Sequence, residues 1–105
     1  MNITFSAQQS YNGVKCVKVY ADDALTVIEL YRLPDATGSA AWHMRLAEYT
    51  SYGECWVKHP ARYIDGPATL RVMKAKSREI CEAVGDVSRL LELYDATEPP
   101  SWWPW

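Results

Sequence analysis

The chain has 105 residues, 49% of them apolar and 23% charged, with a formal net charge of −2. That length suits one domain with a core of its own, and the charge argues against a protein built for general nucleic-acid binding. Residues 1–9 lack the basic and apolar regions of a secretion signal, and no apolar run approaches the ~20 residues of a spanning helix, so the expectation is a cytoplasmic protein with no membrane partner.

Tyr11-Asn12-Gly13-Val14 opens the pattern with the strongest local signal in the chain. Asn-Gly supplies the two positive-φ positions of a type I′ hairpin turn. Strands are predicted near 3–11 and 14–20, with Phe5 opposite Tyr20. Asp22-Asp23 reads as a turn. Leu25 to Leu33 is β-branched and aromatic with apolar residues on both faces, which reads as a central strand. Pro34 to Ser39 is a loop on composition. From Ala41 to Tyr49 the alternation is clean: Trp42, Met44 and Leu46 point one way, His43, Arg45 and Tyr49 the other. A turn at 51–54 leads to a fifth strand over 55–59, and 60–67, with Pro60, Gly66 and Pro67, reads as a connector that ends the sheet.

After Ala68 the period changes from two to three and a half. Leu70, Met73, Ser77, Ile80, Val84, Val87, Leu91 and Tyr94 fall on one face of a helix predicted to run to about 95. Asp65 or Thr69 can cap its start, and Gly85 is the position where it can kink or break. Some 27 residues span roughly 40 Å, whereas a five-stranded sheet is only about 24 Å wide, so such a helix overhangs its sheet. The tail, 96–105, contains Pro99-Pro100-Ser101-Trp102-Trp103-Pro104-Trp105, three of five tryptophans and three of six prolines. It is predicted to be extended and docked, since a Trp left in water forfeits several kcal/mol at ~25 cal/mol per Å². The whole reads as one α+β domain: a five-stranded antiparallel meander over 1–59, one long C-terminal helix packed on one face, and an extended Trp/Pro tail.

Charge is ordered along the helical region. Lys58, Arg62, Arg71, Lys74, Lys76 and Arg78 are opposed in that stretch only by Asp65; Glu79, Glu82, Asp86, Glu92, Asp95 and Glu98 are opposed only by Arg89. Bases first and acids last runs against the helix dipole, but two copies packed antiparallel would place opposite halves together. A homodimer is expected from this, with Leu70, Met73, Val84, Val87, Leu91, Tyr94, Trp102, Trp103 and Trp105 as its surface.

The chemistry-bearing residues form no motif for catalysis, nucleotides or metal. Cys16, Cys55 and Cys81 are an odd, widely spaced set without CxxC, best read as reduced and buried. Cys55 and His59 lie about 13 Å apart along one strand, too far to ligate one ion, so no metal and no cofactor are expected. The basic cluster near Trp56 and Tyr63 is answered by an equal acidic block, which makes nucleic acid a minor option. Glu29 interrupts an apolar face and needs a partner, with Arg45 or His43 the candidates.

The leading functional expectation is a non-enzymatic, homodimeric interaction protein that binds another macromolecule, such as a protein, through an aromatic-rich surface. In general type, on no motif, it suits an accessory protein of a phage or mobile element. The alternative is a small-ligand-binding domain or simple enzyme with a pocket between sheet and helix, its polar groups Glu29, His43, Arg45 and Tyr49.

Overall fold

The computed structural model describes residues 1–22, 25–52, 55–60, 62–94, 96, 98, 101 and 103, with 50–52 and 55–56 described by their backbone alone. Asn12 and Gly13 both take positive φ, and Tyr11 faces Val14 across the turn. The first predicted strand is two strands, β1 (Ile3–Phe5) and β2 (Gln9–Tyr11), both antiparallel to β3 (Val14–Ala21). Between them the Ser6 hydroxyl accepts the Lys18 N–H, doing the work of a ladder carbonyl. The interruption shifts the register by one, so Phe5 lies opposite Val19 and not Tyr20.

β4 (Leu25–Arg32) pairs with β3 and carries a bulge: Val19 faces Ile28 but Tyr20 faces Thr26, leaving Val27 as the extra residue. A bulge turns the residues on its two sides out of simple alternation. Leu25 and Ile28 therefore sit opposite Ala21 and Val19 on one face, although they are three residues apart. β5 (Trp42–Leu46) pairs with β4, placing Met44 opposite Leu30 and Leu46 opposite Ile28.

The meander ends here. The 41–49 segment breaks at Ala47-Glu48, and β6 (Tyr49–Tyr52) with β7 (Cys55–Lys58) forms a separate two-stranded ribbon. The position beside β5 is taken instead by β8 (Arg62–Ala68), so the predicted connector is largely a strand and the main sheet has six strands. Gly66 and Pro67 suggested a loop, yet both fit an edge. Proline lacks only a donor that an edge strand has no partner for. Gly66 (φ 133) lies where β8 crosses an irregular pairing with β5, and a Cβ there would stand 2.9 Å from His43 Cα and from the Trp42 carbonyl.

The long helix is likewise two. α1 (Leu70–Val84) begins at Thr69, whose hydroxyl accepts the Val72 N–H, and ends at Gly85 in the left-handed conformation. Asp86 then caps the five-residue α2 (Val87–Leu91). Fifteen residues span about 22 Å, so the predicted overhang does not arise. The apolar stripe of α1 faces its own sheet. Met73, Ile80 and Val84 join Val17, Leu30 and Met44 in the core, with Leu70, Val87, Leu91 and Trp103 packed against it. Tyr94 is fully buried, and its hydroxyl donates to the Val27 carbonyl. Trp102 and Trp105 lie outside the described residues.

Cys81, on the core side of α1, shows how dry this interior is. Burial pushes its thiol from 9.0 up to about 11. A group whose pKa rises on folding holds its proton more tightly in the native state, so the stability it confers is complete below about 9 and is lost as pH climbs through about 11. Urea unfolding of the wild type and of Cys81→Ala should show the wild type losing ground to the variant across that window. A difference independent of pH would contradict the assignment.

Candidate functional site

The register across β3, β4 and β5 sets out the second face of the sheet. Lys18, Glu29 and Arg45 stand in one row, Cys16, Tyr31 and His43 in the next. Their chain neighbours Val17, Val19, Ile28, Leu30, Met44 and Leu46 point into the core beneath α1. Alternation therefore directs Glu29, His43 and Arg45 away from the helix. Among the described residues, the side chains between sheet and helix belong to the core, and the candidate residues expected to line a pocket there lie on the other side of the sheet.

On that face is a half-open groove of about 510 Å³. β3, β4 and β5 form its floor, Tyr11 and Val14 lie at the hairpin end, and Glu48 and Tyr49 approach from the break before β6. Glu29, Arg45 and Tyr49 of the four predicted ligand residues line it together. His43 stands beside it, its ring stacked on Tyr31 with centroids 5.4 Å apart.

At the centre is an ion pair. Arg45 Nη2 donates to Glu29 Oε2 at 3.0 Å, and Glu29 Oε1 accepts the Glu48 N–H at 3.3 Å. Both carboxylate oxygens are thus engaged, which is what permits Glu29 to be 9% exposed. The Arg45 guanidinium also lies 4.8 Å from the Tyr31 centroid, a cation–π contact that fixes its plane. Its Nε is buried and has no hydrogen-bond partner among the described residues.

The His43 tautomer follows from its neighbour. The Tyr63 hydroxyl donates to the Gly66 carbonyl at 2.8 Å and lies 3.2 Å from His43 Nδ1. A phenol has one proton, so the hydroxyl accepts from Nδ1–H, leaving the Nε2 lone pair of neutral His43 available. Desolvation first, then Tyr31 and Asp65, hold the Tyr63 phenol above its ordinary value and keep that proton in place.

Cys16 looks like a nucleophile by position only. Burial, and after it the Glu29 charge, raise its thiol above 9.0 against the pull of Lys18 and Arg45, so it stays protonated near neutrality. Among the described residues no group of three or more His, Cys, Asp or Glu is arranged to hold a metal ion. No helix of the described chain is long and apolar enough to cross a membrane.

Sequence reasoning overlooked Tyr11, Lys18, Tyr31 and Glu48 as lining. The turn at Asn12-Gly13 does place Tyr11 and Cys16 on one face, a signal that was legible. Tyr31 joins them only through a register that the bulge at Val27 controls. Comparison with protein-family models, curated proteins and solved structures returned no match.

The ion pair can be tested directly. Arg45→Leu strands a buried carboxylate and should cost about 2 kcal/mol, less than the 3–5 of a fully buried pair because the Arg45 side chain is 30% exposed. Adding Glu29→Gln should restore at least half of that loss in urea unfolding. Equal stability of the single and double variants would show that Glu29 does not depend on Arg45.

Proposed function

We propose that the protein is a non-enzymatic binding module that holds a partner macromolecule against the helix-free face of its sheet. The observation that carries this reading is the tyrosine-lined groove. Tyr11 and Tyr49 are 61% and 46% exposed at its two ends, with Tyr31 between them on the floor. Tyrosine combines an apolar ring with a hydroxyl and suits a surface that is wet when free and buried when bound. The groove's charged groups, Lys18 and Arg45 with Glu29 and Glu48, balance in sign, which favours a neutral segment over a polyanion such as nucleic acid. Free thiols at Cys16 and Cys81 support a reducing compartment, and we place the module in the cytoplasm.

The small-ligand reading keeps one specific support. The volume lies within the ~300–1,000 Å³ of small-molecule sites, with Glu29 and Arg45 held rigidly at the floor. Peptide display on the wild-type protein and a fragment screen read by NMR separate the two. Selected peptides should shift groove resonances and bind at least about tenfold more weakly to Tyr11→Ala/Tyr49→Ala, whose changes fall on exposed side chains. Fragments binding in the groove where peptides do not would favour the small ligand. Failure of both to engage it would sink the proposal.

A further inference from the structure

The outer side of α1 carries a charge pattern that no ion pair among the described residues answers. Arg71, Ala75, Arg78 and Glu82 are spaced 4-3-4 and form the ridge opposite the buried residues, with Glu79 beside it, and all five are exposed. None of Arg71, Lys74, Arg78, Glu79 or Glu82 takes part in an ion pair among the described residues, whereas the neighbouring Lys76 is paired with Asp65. Like charges sit three or four apart within each half: Arg71 with Lys74, Lys74 with Arg78, Glu79 with Glu82. Each such pair costs roughly 0.2–0.5 kcal/mol in a lone helix. The polarity is also wrong for the dipole, since α1 has no acid in its first turn and no base in its last.

We infer that this ridge is a two-fold, antiparallel docking surface for a second copy of the chain. Setting the axis between residues 78 and 79 places Arg78 opposite the partner's Glu79 and Ala75 opposite the partner's Glu82. The small Ala75 leaves room for that carboxylate between Arg71 and Arg78, one turn to either side. The operation is its own inverse, so each contact occurs twice, as a closed dimer requires. Both defects of the single helix are answered, because basic N-terminal and acidic C-terminal halves then neutralise one another.

Phe5 prepares the basic half. Lys74 Nζ and Arg78 Cζ lie 5.4 and 4.9 Å from its ring centroid, so two long side chains are already held before the partner arrives. This lowers the ordering cost of association. The surface lies across the fold from the tyrosine groove and leaves that groove open in the dimer. A single helix pair falls at the low end of specific interfaces, below about 1,200 Å², so the dimer is weak and salt-sensitive.

Sedimentation velocity on the full chain tests it. At about 100 µM protein in ~20 mM NaCl the wild type should sediment as a dimer, and in ~500 mM NaCl the apparent Kd should rise at least about tenfold. Arg71→Glu/Arg78→Glu and Glu79→Lys/Glu82→Lys should each be monomeric, and their equimolar mixture should dimerise again. Recovery in the mixture also shows that both variants are folded. A monomeric wild type at low salt, a dimer indifferent to the reversals, or variants that do not pair would each overturn the inference.

Discussion

The arrangement depends on one carbonyl. Val27 is the extra residue of the β4 bulge, and its carbonyl accepts both the Ala47 N–H, at 3.1 Å, and the Tyr94 hydroxyl. The first bond lies where the chain leaves β5 for the separate ribbon. The second brings the turn that follows α2 back across 67 residues to a central strand. His59, whose N–H donates to the Glu48 carbonyl, packs its ring 4.7 Å from that of Tyr94. Unpaired in a buried strand, such a carbonyl would carry a desolvation cost of about 1–3 kcal/mol. Satisfying it ties bulge, ribbon and C-terminal turn into one unit.

From that constraint the division of the sheet follows. The bulge keeps Leu25 and Ile28 on the core face while Glu29 and Tyr31 turn outward, and β5 continues the same division with Met44 inward and Arg45 outward. One face is closed by α1 and the turn at Tyr94. The other keeps its tyrosines in water around the fixed pair of Glu29 and Arg45. The two surfaces given a role are thus different in kind, a neutral concave sheet face and a charged convex helix ridge, on opposite sides of one core.

Much of this was legible in the residues, and the failures have physical causes. Asn12-Gly13 specified its hairpin because few pairs accept two positive φ values. The alternation from Trp42 to Arg45 correctly separated two faces, and the stripe of α1 correctly marked a buried side. What alternation cannot show is which face the helix covers, and so Glu29, His43 and Arg45 were placed beneath it. Ser6 and Val27 each shift a register by one residue through local hydrogen bonding that leaves little trace in hydropathy. Gly66 and Pro67 punctuate a strand as readily as a loop when the strand lies at an edge, so the pairing of β5 with β8 was hidden. Gly85 kept the apolar spacing in phase across a left-handed break, which made two helices read as one.

The helix and the turn at Tyr94 close one face of the sheet while the tyrosine face stays open. Hydroxyl-radical footprinting with residue-level mass spectrometry reads it directly, since tyrosine oxidation reports the exposure of each ring. Tyr11 and Tyr49 should be modified rapidly in the native protein, with Tyr94 protected until global unfolding. Protection of Tyr11 and Tyr49 together with early modification of Tyr94 would contradict it.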